Sequence, residues 1–259
     1  MSLSNRICRL VSCSRPWRGW LWSLLALLLL ATPAMAMSLI PMTQNFTPSG
    51  QDASQSFRLQ NDSNESVAVV VSMTTRAIDV NGDESEEETK DFAVYPTQIL
   101  IAPKRSQVVR VQWRGDPALR TEQAYRIIAE QQPVKRAPAG PGKAEIQLLV
   151  RYVGSVYVVP QGARPDVVVR NVRGITAPDG HHELELLLHN QGSAHALLEG
   201  PSVTLSAANI TQTLAGPGLE AMRGENILAG GDRRFSLPWP KGLPFSERPE
   251  AKFADVPPR

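Results

Sequence analysis

Short runs of alternating apolar and polar residues after position 36 are the feature that most constrains the fold. Glycine, proline, asparagine and aspartate interrupt the runs every few residues, and no long stretch repeats apolar residues at helical spacing. In residues 56–60, Phe57 and Leu59 fall on one face, and the Asn-Asp-Ser-Asn turn of residues 61–64 follows. Apolar residues at a period of two, separated by turn residues, predict strands. The sequence therefore predicts an all-β protein.

Similar runs occur along the rest of the chain. They predict strands near residues 67–73, 92–95, 99–101, 107–113, 124–130, 167–169, 184–188 and 203–205. The acidic run 83–88, which follows Asn81-Gly82, predicts an exposed loop. Residues 133–142 are rich in proline, glycine and alanine and predict a mobile loop, and residues 252–259 predict a frayed tail.

The first 36 residues have the three parts of a secretory signal peptide. Four arginines with no acid precede an apolar stretch at residues 19–31, and Ala34 and Ala36 supply small residues at a cleavage site. The apolar stretch is about a dozen residues long, whereas a spanning helix needs about 20. We therefore expect export, cleavage after Ala36, and no integral membrane segment in the mature chain.

Cleavage changes both the net charge and the cysteine content. The whole chain carries a net charge of +2, and loss of the four arginines lowers it to −2. No general basic surface for nucleic acid is therefore expected. Cys8 and Cys13 leave with the signal peptide, which excludes disulfides, catalytic thiols and cysteine metal sites from the mature protein. The residues that remain are enough for one large domain or two sandwiches.

No motif in the chain indicates enzyme chemistry. A nucleophile elbow, a phosphate-binding glycine loop and a zinc-protease motif are all missing from the sequence. The run Asp79, Asn81 and Asp83 resembles calcium ligands, but its glycine falls too early, and a solvated loop is the better interpretation. The histidines have no recognised metal-ligand spacing, so we expect an exposed turn, no metal and no cofactor. They are His181, His182, His189 and His195.

Residues 144–159 form the longest alternating run, about twice the usual strand length. Ile146, Leu148 and Val150 share one face of this predicted strand. Two interpretations are open. The face covers the core of its own domain, or, since the run follows a flexible basic loop and ends at Pro160, it binds a partner. Residues 161–165 then predict a hinge between two domains.

Several segments together resemble the PapD-like periplasmic chaperones, which assemble pili by the chaperone and usher route. The resemblance covers most of the mature chain and indicates a branch other than the best-known one. Its features occur in the same order as in the family. They are a proline-ended strand, a second proline, a valine-arginine strand, and an acidic residue before an aromatic strand. These are residues 92–96, Leu100 and Pro103, residues 109–111, Glu122, and residues 125–127, with residues 38–46 similar to the first strand.

The resemblance implies two immunoglobulin-like β-sandwich domains in an L-shaped arrangement. It divides the chain into a signal peptide at 1–36, a chaperone domain with a donor strand at 37–160, and a smaller sandwich at 161–259. It implies a non-enzymatic periplasmic chaperone that folds pilus subunits and delivers them to an outer-membrane usher. Ile146, Leu148 and Val150 match the donor positions, whose side chains fill the groove of an incomplete subunit while the backbone completes its sheet.

The chain departs from the best-known branch at the cations that hold the subunit's terminal carboxylate. Matching places Thr43 and Ser155 at those two positions, and neither side chain carries positive charge. Arginine suits a two-point grip on a carboxylate, so Arg110 and Arg126 are the candidate anchors, and Arg151 is a further cation on a neighbouring strand. A structural salt bridge, for example with Glu122, is the competing interpretation.

Two other classes of function stay open at this point. A pilus subunit or exported adhesive sandwich would share the fold, although few residues precede the first strand-like run. The hypothesis of a carbohydrate-active or metal-dependent hydrolase is supported only by the sandwich fold and the histidines. If the donor strand is exposed in the free protein, its edge also favours self-association.

Overall fold

The structure is a computed structural model that describes residues 37–133 and 148–255, and the predicted signal peptide lies outside them. Strands dominate these residues, and none of their helices is long and apolar enough to cross a membrane. Two hydrophobic cores form, one before and one after residue 160. The predicted all-β class with two β-sandwich domains is therefore confirmed. The bounds of the two domains stay predictions.

The first sandwich contains strands β1 to β11. They are β1 (Met37–Ile40), β2 (Thr43–Phe46), β3 (Ser54–Asn61), β4 (Val67–Thr75), β5 (Ala77–Ile78), β6 (Glu84–Ser85), β7 (Phe92–Tyr95), β8 (Gln98–Ile101), β9 (Arg105–Trp113), β10 (Gln123–Gln132) and β11 (Arg151–Val158). A short 3-10 helix, Gln51–Ala53, precedes β3. Within the described ranges, a four-stranded sheet has the order β1-β3-β9-β7 and a five-stranded sheet the order β2-β11-β10-β4-β8.

The core of the first sandwich follows from the predicted alternation. In β9, Val109, Val111 and Trp113 are buried while the residues between them are exposed. An aromatic cluster closes the core where the two sheets meet. The Phe92 ring packs edge-to-face on three other rings, at centroid distances of 5.5 Å, 5.1 Å and 4.9 Å from Phe46, Trp113 and Tyr125. Such contacts add about 0.5–1.5 kcal/mol per pair to area burial.

The second sandwich contains β12 to β19. They are β12 (Val167–Thr176), β13 (His182–Asn190), β14 (Ala196–Leu197), β15 (Pro201–Ala207), β16 (Ile210–Ala215), β17 (Asn226–Ile227), β18 (Asp232–Pro238) and β19 (Glu250–Asp255). The described sheets have the orders β12-β13-β18 and β16-β15-β19, with β14 paired to β17. Leu184, Leu186 and Leu188 of β13 lie at the centre of this core, and the 3-10 helix Gly216–Met222 adds Leu219 and Met222.

The prediction of a frayed tail at residues 252–259 was wrong for residues 252–255. Residues 252–255 belong to β19, which pairs with β15 from Glu250 to Asp255. Phe253 packs against the second core, so this segment gains both backbone pairing and apolar burial.

Two residues of the acidic run, Glu84 and Ser85, form β6, which pairs with β5 in a short hairpin. The Asp79 carboxylate accepts hydrogen bonds from the backbone N–H groups of Asn81, Gly82 and Asp83 at 2.8, 2.8 and 2.9 Å. These bonds lower the pKa of Asp79. The hairpin reaches the second sandwich, where the Arg234 N–H donates to the Val80 carbonyl at 2.7 Å. The predicted exposure of residues 83–88 is confirmed for all of them except Glu86, which is half-buried, but Glu84 and Ser85 form a strand rather than part of a loop.

The long strand predicted at residues 144–159 is shorter in the structure. The strand β11 extends over Arg151–Val158, and residues 148–150 before it are not in a strand. Residues 144–147 lie outside the described residues. The last residue of β10 that pairs with β11 is Glu130, opposite Arg151. The strand β11 therefore begins at the residue where its pairing with β10 begins.

Candidate subunit-binding site

The alternation of apolar residues in β11 continues in sequence into exposed residues that precede the strand. Val156 and Val158 are fully buried, and Tyr152 packs against the same core. Val150, two residues before Tyr152, is 40% exposed, and Leu148, four residues before it, is 82% exposed. The face therefore covers its own core from Tyr152 onward and presents apolar side chains to solvent before it. Ile146, the third predicted donor residue, lies outside the described residues.

One edge of β11 lacks a strand partner over its first half. The N–H groups of Ser155 and Val159 donate to the Met42 and Phe46 carbonyls at 2.7 and 2.8 Å, so odd-numbered residues of β11 point their backbone groups toward β2. The pairing with β2 extends only over residues 155–158. In the part of the chain that the structure describes, no strand pairs with this edge at Arg151 and Val153. Open edges of this kind bind additional strands.

Arg126, Ser155 and Thr43 lie side by side on three neighbouring strands. Arg126 on β10 is opposite Ser155 on β11, which is opposite Thr43 on β2. Nη1 of Arg126 donates to Ser155 Oγ at 2.5 Å, and the Arg126 side chain is only 14% exposed. The two positions that the resemblance assigns to the anchor thus lie beside a cation from the next strand.

Arg110, the other candidate anchor, lies elsewhere. It belongs to β9 in the four-stranded sheet, whereas Arg126 belongs to the five-stranded sheet. Its side chain is exposed, and its Nε donates to Ser54 Oγ at 2.9 Å. The structure therefore does not bring the two candidate arginines together.

Arg76 joins Arg126 at this site, although sequence analysis did not single it out. Its side chain is 7% exposed, and its Nη1 donates to the Tyr157 hydroxyl at 2.8 Å. The backbone N–H of Arg76 bonds to the Ala124 carbonyl at 3.0 Å, which fixes its position against β10. Its location directly after the strand β4 and before an acidic run was the signal available in the sequence.

Glu84 of β6 lies between the two arginines. Its Oε1 is 3.2 Å from Arg76 Nε and 2.8 Å from Arg126 Nη2, and its Oε2 is 2.6 Å from Arg126 Nη2. A second bond from Arg76 Nη2 also reaches Oε1. Partial burial acts to raise the pKa of Glu84, but the hydrogen bonds from both arginines outweigh it and lower that pKa. The Glu84 carboxylate is therefore charged at neutral pH, and two guanidinium groups hold it.

The competing interpretation was a structural salt bridge, for example with Glu122, and Arg126 does form a salt bridge, although its partner is Glu84. Glu122 accepts hydrogen bonds from His195, at 2.6 Å from Nδ1 and 3.2 Å from the backbone N–H. His195 in turn stacks on the Tyr157 ring at 3.9 Å. Glu122 therefore joins the two sandwiches, and Glu84 is the carboxylate that pairs with Arg126.

Two of the other histidines contact carboxylates of the second sandwich. His181 contacts Asp179 and lies 2.8 Å from Glu183, and His189 lies 2.9 Å from Asp232. Over residues 37–133 and 148–255, no group of three or more potential ligands is placed to hold a metal ion.

A family model for pili and flagellar-assembly chaperones, the PapD N-terminal domain, matches residues 43–164. The match includes β2, β10 and β11, the strands that carry Thr43, Arg126 and Ser155. The match covers the first sandwich from β2 onward. The predicted resemblance to PapD-like pilus-assembly chaperones is thereby confirmed, and a chaperone role follows from it.

Solved structures resemble this chain over most of its length. The class 5 fimbriae chaperone CfaA is 15% identical with a TM-score of 0.54, covering 86% of this chain and 100% of that chain. The chaperone–tip subunit complex CsuC–CsuE of Acinetobacter baumannii matches with 14% identity and a TM-score of 0.50, covering 77% and 89%. These likenesses concern the fold. A search of curated proteins found no match.

Proposed function

We propose that this protein is a periplasmic chaperone that binds pilus subunits by donor-strand complementation and delivers them to an outer-membrane usher. The observation that carries the proposal is the start of β11, where exposed Leu148 and Val150 precede an edge that lacks a strand partner in the described residues. The predicted signal peptide supports export to the periplasm. The proposal needs no catalytic residue.

Donor-strand complementation uses both features of β11. A subunit that lacks the last strand of its sandwich exposes a hydrophobic groove and unpaired backbone groups. The open edge at Arg151 and Val153 offers N–H and C=O groups to such a subunit, and the residues before β11 offer apolar side chains to the groove. Burial of Ile146, Leu148 and Val150 is worth about 1.5–3 kcal/mol for each residue before the cost of ordering. Backbone pairing and a charge contact supply the rest.

Arg126 is the residue that we propose as the anchor for the subunit's terminal carboxylate. It lies next to Ser155 and Thr43, and its guanidinium already contacts a carboxylate, that of Glu84. Arg110 lies on the other sheet and contacts a serine hydroxyl. The site around Arg126 therefore fits a carboxylate better than the surface around Arg110.

Co-expression with candidate pilus subunits tests the proposal. We expect one of them to accumulate as a soluble one-to-one complex, and to be degraded or to aggregate when the chain is left out. The measurement is affinity capture from a periplasmic extract followed by mass determination. Polymers of the chain itself, with no bound partner, would contradict the proposal and favour the alternative of a pilus subunit or exported adhesive sandwich.

A further inference from the structure

The carboxylate site between Arg76 and Arg126 is occupied by a residue of the same chain. Both guanidinium groups donate to Glu84, and both side chains are largely buried. Glu84 is held on a two-residue strand whose partner, β5, is equally short. A side chain on so short a hairpin moves more easily than one in the ladder of β10 and β11. The arginines are therefore the fixed part of this contact, and Glu84 is the movable part.

The site also has hydrogen-bonding capacity that Glu84 leaves unused. The Arg126 Nε is buried and has no partner, and the Thr74 hydroxyl, on the residue opposite Arg126 in the ladder, is likewise buried without a partner. Buried donors without a partner are costly, and few occur in folded proteins. A ligand carboxylate placed differently from that of Glu84 can use such donors. The site therefore has hydrogen-bond donors that Glu84 does not use.

We propose that Glu84 occupies the carboxylate site in the free chaperone and that the terminal carboxylate of a bound subunit displaces it. This inference rests on the proposed function. It adds that Glu84, a residue of the same chain, competes with the subunit's terminal carboxylate for the two arginines. The exchange replaces one carboxylate by another, so the arginines are never left without a counter-charge. Glu84 thereby prevents small anions from binding and makes stable anchoring depend on the additional contacts of the donor strand.

Displacement of Glu84 also acts on the second sandwich, because the same hairpin contacts it. The Val80 carbonyl accepts from Arg234, and Gly82 lies so close to Arg233 that an added Cβ would be 1.8 Å from its Nη1. Gly82 has a φ of +97°, which also favours glycine. Release of Glu84 removes the ion pair between the hairpin and Arg126 of β10, while the bond of Arg234 to Val80 and the bond of Thr75 to Glu87 remain. Subunit binding is thus expected to loosen a connection between the two sandwiches.

The test compares Glu84→Gln with wild type and with the control Glu86→Gln, using acetate as the probe. Glu86 forms an ion pair with Arg151 at 2.7 Å, so the control makes the same charge change beside another arginine. Acetate is titrated while the side-chain Nε–H signals of Arg76 and Arg126 are followed by NMR. We expect these signals in Glu84→Gln to reach half of their shift at an acetate concentration at least about tenfold lower than in wild type and in Glu86→Gln.

A second arm identifies the chemical group that is recognised. An N-acetylated Val-Thr-Val peptide with a free carboxylate is expected to shift the same signals in Glu84→Gln, and its C-terminal amide is not. Equal acetate midpoints in wild type and Glu84→Gln, no shift in Glu84→Gln, or an equal response to the amide would each overturn the inference. None of these titrations involves a subunit, so failure of the co-expression test alone would count against the proposed function and leave the exchange site standing.

Discussion

Replacing Leu148 and Val150 together by aspartate is expected to abolish the soluble complex with a pilus subunit while the free protein stays folded. Both side chains lie before β11 and are exposed, so their loss removes little of the protein's own core. Surface substitutions of this kind change the free energy of unfolding by about 0.5 kcal/mol or less. In the complex, by contrast, two carboxylates would have to enter an apolar groove, which costs several kcal/mol.

The control for this prediction is Leu149→Asp. Leu149 lies between the two donor residues and is 51% exposed, but it belongs to the opposite face of the alternation. We expect the single change to leave the amount of captured subunit within about twofold of wild type. Urea unfolding of each free variant checks that the fold is retained. Equal loss of the complex in Leu149→Asp, or survival of the complex in the double variant, would show that the donor face is assigned wrongly.

The second large effect is expected at the contact between Glu122 and His195. The Glu122 side chain is 2% exposed; its Oε1 bonds to His195, and its Oε2 has no partner. His195→Ala would leave a buried carboxylate without its side-chain donor and remove the stacking on Tyr157. Loss of one partner of a buried pair costs about 3 kcal/mol. We therefore expect the free energy of unfolding, measured in urea, to fall by about that amount.

Two variants make this prediction specific. His189→Ala removes a comparable contact with Asp232, but both side chains there are partly exposed and Arg170 also holds Asp232, so we expect a loss below about 1 kcal/mol. The double change Glu122→Leu and His195→Leu removes both polar groups and should recover most of the stability. A loss for His195→Ala no larger than for His189→Ala would contradict the account of this contact.

Local patterns predicted most of the fold because burial of a strand follows directly from its alternation. Residues 107–113 were predicted as a strand and lie in β9, where Val109, Val111 and Trp113 face the core. The start of β11 could not be predicted in this way. An alternating segment becomes a strand only where a partner strand lies beside it, and pairing with β10 ends at Arg151.

The charged contacts were harder to predict than the strands. Glu84 was interpreted as part of an exposed loop because runs of acids are usually solvated, yet its partner Arg126 is 42 residues away in sequence. Glu122 was named as an example of a salt-bridge partner for the candidate arginines, whereas it bonds to His195, 73 residues away. Such pairs depend on strand register and on the packing of the two sandwiches. A single sequence contains neither directly.

The most direct test of donor-strand complementation is amide exchange at Arg151 and Val153. Their N–H groups point to the edge of β11 that has no strand partner in the described residues, whereas Tyr152 and Gly154 pair with Ala129 and Ile127 of β10. In the free protein, we expect Arg151 and Val153 to exchange much faster than Tyr152 and Gly154. In the purified one-to-one complex with a pilus subunit, both amides should slow by about a hundredfold or more, because the subunit's strand accepts their hydrogen bonds. Unchanged fast exchange at both positions in that complex would contradict the proposal that β11 completes the subunit's sheet.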